Sequence, residues 1–267
     1  MATFGDYVKP KSIEEAYEIV SKKKPARVMG GGLYMRMGSR RIGLLVDLND
    51  AGLGYINETD DSVEIGAMVT FRQMEQSEVL NRCFDELIKA SVRDVVGVQF
   101  RNLVTIGGTV YAKHGFSDLL PSLLALDAKV VFFNGGEISL DDYLREEGYR
   151  KQDIIEKIIL PKKEVKASYQ SMRISTGDYA ILVVSVVKSE EGVKIAVGAR
   201  PQKAILATEA MSILGTEDLT EENVVEASMK AAEELTFGTN TRGSKEYRKE
   251  ICKVLVKRAL KEVKSCK

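Results

Sequence analysis

Apolar positions along the chain mostly follow one of two spacings. Ile13, Ala16, Ile19 and Val20 recur at helical spacing. Ser12 and Glu15 stand ahead of them as a capping box, in which hydroxyl and carboxylate satisfy orphan amides. A lysine run from Lys22 to Lys24 marks the helix end, where cations suit the dipole. Ala26–Met29 predicts a short strand that runs into Gly30, Gly31 and Gly32. Ile42–Leu48, Ser62–Gly66, Ala128–Phe133 and Ile154–Leu160 predict further strands, closed by Asp, Asn, Gly or Pro. Thr70 and Gln73 form a second capping box, opening a helix to about Leu80, and Phe84–Ala90 reads as helical.

The segment 162–167 is polar and rich in lysine, and the main domain boundary is expected there. Beyond it, Ala180–Val187 and Val193–Ala199 predict a strand pair turned by Glu190, Glu191 and Gly192. Thr220 caps a helix to about Leu235. A last helix runs from Ser244 to about Val263, with Tyr247, Ile251, Val254 and Leu255 expected on one face. The class is therefore α+β throughout, with strands before helices in the second part.

Composition narrows the function. The 267 residues carry 39 Lys and Arg against 39 Asp and Glu, which argues against a broad basic surface for nucleic acid. Cys83, Cys252 and Cys266 are scattered, with no CxxC pair, and read as reduced thiols. They do not supply the four ligands an iron–sulfur cluster normally needs. Neither a signal-peptide core nor a stretch of roughly 20 apolar residues is present, so a soluble, cytoplasmic protein is expected.

Two glycine-rich segments are the candidate chemistry: Met29-Gly30-Gly31-Gly32-Leu33 and Thr105-Ile106-Gly107-Gly108-Thr109. Glycine lets backbone amides approach an anion closely, and successive amides in such loops form nests for phosphate oxygens. Each segment is equally readable as a tight connection. Neither matches GxGxxG or the P-loop, which argues against a Rossmann site or a Walker-type nucleotidase. Asp118 follows the second loop and is placed either to accept from ribose hydroxyls or to cap a helix beginning near Leu119. Tyr34 and Tyr111 lie beside the loops and suit either ring stacking or the core. His114 is the lone histidine, a poor basis for a metal site or a triad, and Asp141-Asp142 reads as a solvated turn. No catalytic residue and no metal ligand is assigned.

At these loops the sequence resembles the FAD-binding medium subunits of the molybdopterin hydroxylases, the group of carbon monoxide dehydrogenase, xanthine dehydrogenase and aldehyde or glyceraldehyde oxidoreductases. The resemblance covers nearly the whole chain in the same order. Its most specific part is Gln99-Phe100-Arg101-Asn102 followed by Thr105-Ile106-Gly107-Gly108. Ser117-Asp118-Leu119-Leu120-Pro121 and Leu126-Asp127-Ala128 continue it. Gly177-Asp178-Tyr179-Ala180 resembles the opening strand of the second domain. Arg242-Gly243-Ser244, Tyr247-Arg248 and Val256-Lys257-Arg258-Ala259-Leu260 resemble its C-terminal signature.

The resemblance implies a two-lobed FAD-binding domain of the vanillyl-alcohol-oxidase type over 1–163, with lobes of about 1–55 and 56–163. A smaller α+β domain over 164–267 follows. It implies that amides of Met29–Leu33 and Thr105–Thr109 hold the FAD diphosphate, that Asp118 takes the ribose, and that Ile155 and Leu160 lie close to the flavin ring. Electrons would pass from iron–sulfur clusters of a small subunit to FAD here and then to an external acceptor. Molybdopterin would sit in a large subunit, and the whole would form a dimer of heterotrimers. Gly32, Leu33 and Thr109 depart from polar residues usual in the family's loops. Gln170 falls near where xanthine dehydrogenases place a lysine by the flavin. Two other readings stay open: a free-standing flavoprotein reductase or oxidase, and a cofactor-free assembly scaffold.

Overall fold

The computed structural model describes residues 2–22, 25–39, 41–150, 152–215 and 219–265. Lys23, Lys24 and Cys266 lie outside them. The chain divides into two compact units that are not consecutive in sequence: 1–74, 98–112 and 129–160 in the first, 75–97, 113–128 and 161–267 in the second.

The first unit holds two sheets. In one, Arg41–Asp47 is central, with Thr3–Val8 and Ala26–Met29 parallel on its flanks. Its inner residues Leu44, Leu45 and Val46 are buried, whereas Thr3–Val8 is exposed along almost its whole length. Helix Ile13–Lys22 packs Ile13, Ala16 and Val20 inward. Its capping box is offset by one residue: the Ser12 hydroxyl accepts from the Glu15 amide at 3.2 Å, while the Glu15 carboxylate accepts from Lys11 N rather than from Ser12 N. The second sheet has five strands in spatial order 56–58, 62–66, 155–161, 129–132 and 136–139.

Thr70 and Gln73 form the expected reciprocal box, Gln73 N to Thr70 Oγ1 at 3.2 Å and Thr70 N to Gln73 Oε1 at 2.8 Å. The helix they open stops at Gln76 rather than continuing to Leu80. Ser77 adopts extended backbone, accepts from Leu80 N and starts a separate helix, Glu78–Cys83. The helix expected over Phe84–Ala90 begins only at Leu87, because Asp85 and Glu86 sit at φ of 50° and 55° and break the run. Asp141 and Asp142 lie in the first turn of helix Leu140–Arg145, not in a turn; the Ser139 hydroxyl caps it by accepting from Asp142 N at 3.0 Å.

The second unit is built on a four-stranded antiparallel sheet in the order 205–206, 192–198, 182–189, 166–172. The long apolar run at its centre is explained by burial on both faces. Leu182, Val184 and Val186 point into a core shared with helices Thr208–Leu214, Glu221–Glu234 and Lys245–Ser265. On the opposite face, helix Leu119–Ala125 is seated, with Ser122 Oγ 2.9 Å from Ser185 Oγ.

The last helix buries a different face from the one expected. Arg248, Cys252, Leu255, Val256, Ala259, Leu260 and Val263 are inside, and Tyr247 and Val254 are exposed. Arg248 is buried because its guanidinium donates to the carbonyls of Ile181, Gly238 and Gly243 and to Asn240 Oδ1. That network displaced the apolar stripe by one position. The segment resembling an opening strand, 177–180, is a loop; the strand starts at Leu182. Among the described residues, no helix is long and apolar enough to cross a membrane.

Candidate functional site

The two glycine-rich segments meet in the first unit. Met29 ends a strand, and Gly30–Gly32 lead into the short helix Leu33–Met37. Thr105 forms a β-bridge with Thr70, and helix Ile106–Ala112 follows. A Cβ on Gly31 would stand 1.5 Å from the carbonyl oxygen of Leu103, and one on Gly30 would stand 2.6 Å from Thr105 Oγ1. Only glycine allows that approach. Gly32, at φ of 70°, turns the chain into the helix without a side-chain cap.

The two loops use their amides differently. Ile106 N and Gly107 N donate to the carbonyls of Val69 and Ala67, both at 2.9 Å. Gly108 N donates to Thr105 Oγ1 at 3.2 Å, and Thr109 N to Thr105 O at 3.0 Å. The Thr109 hydroxyl also donates to Thr105 O. The second loop is thus a brace, held by the segment 67–70. Among the described residues, no acceptor takes the amides of Gly30, Gly31, Gly32 or Leu33. The first loop therefore carries the open donors.

Ile155 and Leu160 are both buried in the strand 155–161 of the five-stranded sheet. Tyr111 stacks on Tyr149 at 5.5 Å, and Tyr34 is partly exposed on the short helix after the first loop.

Asp118 belongs to the second unit. It is not the helix cap: Ser117 Oγ accepts from Leu120 N at 3.3 Å, and Asp118 makes no capping bond. Its Oδ1 accepts from the Tyr169 hydroxyl at 2.9 Å and is ion-paired with Nη2 of Arg173. Burial pushes the Asp118 carboxyl above its ordinary range, against the opposing pull of Arg173 and Tyr169. Burial also drives the Tyr169 hydroxyl well up.

Tyr169 faces the helix side of strand Lys166–Met172, opposite Ser185. Gln170 faces the other side and donates to Glu262 at 2.8 Å. This trio was missed in the sequence because Tyr169 and Arg173 lie 51 and 55 residues from Asp118.

Nearby, Asp178 pairs with Arg242 at 2.8 Å, and the Arg242 guanidinium sits 5.0 Å over the Tyr179 ring. His114 stacks on Phe116 at 4.7 Å, Phe116 meets Tyr179 edge-on, and burial lowers the His114 pKa. These contacts explain why Gly177–Ala180 and Arg242–Ser244 read as signatures: they hold each other. Among the described residues, no three His, Cys, Asp or Glu side chains gather as a metal site.

Residues 2–163 match the family model described as the FAD binding domain in molybdopterin dehydrogenase, and residues 167–263 match the CO dehydrogenase flavoprotein C-terminal domain. The nicotine 6-hydroxylase medium subunit of Paenarthrobacter nicotinovorans is 26% identical, with 96% of each chain covered. The glyceraldehyde dehydrogenase medium chain of Sulfolobus acidocaldarius is 25% identical, covering 96% of this chain and 97% of that one. A chain in the crystal structure of cyanide-inactivated Cu,Mo-CO dehydrogenase superposes with a TM-score of 0.88 at 25% identity, over 99% of both. Two family domains in series, the likeness in fold along the whole length and the braced glycine loops agree, and the chain belongs to the FAD-binding flavoprotein family of the molybdopterin dehydrogenases.

Proposed function

We propose that the chain is the FAD-binding, electron-transferring subunit of a cytoplasmic molybdenum hydroxylase complex. FAD, when bound, supplies the redox chemistry; the protein supplies binding, orientation and electrostatics. The observation that carries the reading is the open row of amides from Gly30 to Leu33, fixed against Leu103 and Thr105 by contacts that only glycine permits. That row fits a diphosphate. The second loop contributes by bracing the first, with Thr105 and Thr109 as its hydroxyl-bearing residues, and its own amides already have partners. Asp118 is assigned to the ribose and the apolar Ile155 and Leu160 to the flavin ring. The FAD-binding domain is read as 1–163 and the C-terminal domain as 164–267.

The assembly is proposed by analogy. Relatives that match over nearly their whole length are named as medium subunits or chains. Partners here would be a large molybdopterin subunit and a small iron–sulfur subunit, arranged as a dimer of heterotrimers. The chain would pass electrons from the partner's clusters to an external acceptor.

The test is a visible spectrum and an FAD titration of the purified chain, followed by tagged co-purification from the native host. One-to-one binding with perturbed flavin bands and recovery of molybdenum- and iron-bearing partners is expected. One-to-one FAD binding with no partners recovered would favour a free-standing flavoprotein. A folded chain that does not bind FAD, alone or with its partners, would favour the scaffold.

A further inference from the structure

The Asp118 ion pair has an unusual geometry. A guanidinium facing a carboxylate commonly closes as a two-pronged fork. Here Arg173 gives Asp118 only Nη2, and only to Oδ1. Its Nη1 donates instead to the carbonyl of Asp178 at 2.7 Å, and its Nε is enclosed without any acceptor. Tyr169 also donates to Oδ1, and Arg173 Nη2 reaches the Tyr169 hydroxyl at 3.2 Å.

Two donors therefore converge on one carboxylate oxygen. Oδ2 takes no hydrogen bond from the described residues, yet it is not among the fully enclosed unpaired atoms, so it keeps contact with solvent. A pair serving only to pin a helix to a strand gains by closing the fork, which would satisfy Oδ2 and Nε together. This arrangement forgoes that gain and keeps an acceptor open on a side chain otherwise buried.

We infer that Arg173 and Tyr169 are positioning residues for Asp118, locking Oδ1 so that Oδ2 is presented to a hydroxyl donor, namely the ribose of the adenosine half of FAD. The inference rests on the proposed FAD reading and names how one of its contacts is made. A carboxylate oxygen repels phosphate and accepts from a sugar hydroxyl, which selects the ribose within the dinucleotide. The charged groups acting on Asp118 are Arg173 and Tyr169 from the strand 166–172 and its exit, and Asp94 from the segment after helix Leu87–Val92. Arg173 favours the ionised carboxylate; burial and Asp94 oppose it.

The experiment is an FAD titration of the full chain by flavin fluorescence between pH 6 and 9, with ADP and 2′,3′-dideoxy-ADP as competitors. Wild type is expected to bind FAD with little change across this range and to prefer ADP to the dideoxy compound. Asp118→Asn is expected to weaken FAD by about tenfold or more at every pH and to abolish the preference, as loss of a charge-assisted hydrogen bond requires. Arg173→Met is expected to bind more weakly at pH 6 than at pH 9, because Asp118 takes up a proton once its cation is gone; Arg173→Lys restores the flat profile. Should Arg173→Met fail to fold, Tyr169→Phe carries the test, with a smaller loss in the same direction and a reduced preference for ADP. Absence of FAD binding by wild type would overturn the proposed function and this inference with it. Wild-type binding with a weakened Asp118→Asn, but Arg173 and Tyr169 variants matching wild type in pH profile and ADP preference, would overturn the positioning role alone.

Discussion

Replacing Gly31 by alanine probes the loop contact directly. The added Cβ would fall 1.5 Å from the carbonyl oxygen of Leu103. Real contacts of this kind lie at about 3.0 Å or more, so the two segments must separate by roughly 1.5 Å. The obstacle is backbone, which cannot swing aside as a long side chain does. Forced overpacking of this sort costs about 1–3 kcal/mol. For a chain of this size each kcal/mol lowers Tm by roughly 2–4 °C, which gives an expected fall of about 2–12 °C.

Gly54→Ala is the control: its Cβ meets nothing within 4 Å and its φ is not positive, so no penalty is expected. Both variants are followed by thermal unfolding and by FAD titration. Gly31→Ala should melt lower and bind FAD more weakly, because the open amides of Gly30–Leu33 move with the loop. A Gly31→Ala chain with wild-type Tm and wild-type FAD affinity would refute both the close approach and the role assigned to the loop.

Two further outcomes follow from single contacts. Ser122 and Ser185 share one buried hydrogen bond at 2.9 Å. Either serine to alanine should cost about 1–3 kcal/mol by orphaning its partner, whereas the double replacement should cost less than the two singles added, as denaturant melts in a double-mutant cycle would show. Asp50 is held to a pKa of about 2, first by its hydrogen bonds with Lys11 and Lys9. A lowered folded-state pKa stabilises above the ordinary carboxylate pKa and is lost as pH falls toward 2. Lys9→Met with Lys11→Met should therefore reduce stability at neutral pH and flatten its loss between about pH 4 and 2; an unchanged acid-melting profile would contradict the pairing.

The sequence by itself determined what depends on neighbours a few residues apart. Ser12 with Glu15, Thr70 with Gln73, and Thr220 announce helix starts because the hydroxyl that caps an amide lies three positions before it. Ser62–Gly66 and the apolar run from Ala180 reveal strands because alternation and continuous burial leave their mark in consecutive residues. The order of glycine, acidic and arginine landmarks was enough for the family and for the positions of both loops.

Tertiary structure decided the rest. The stop at Gln76, the start at Leu87 and the inward turn of Arg248 depend on which groups meet those residues from elsewhere in the chain. So does the division of labour between the loops: Gly107 is a brace because Ala67 lies beneath it, and Gly31 must be glycine because the Leu103 carbonyl arrives there. Asp118 reads as a cap from its neighbours and becomes half of a buried ion pair through Arg173. A local pattern records the periodicity of an element but not its partner, and hydrogen bonds and charges are settled by partners brought together across 50 or more residues.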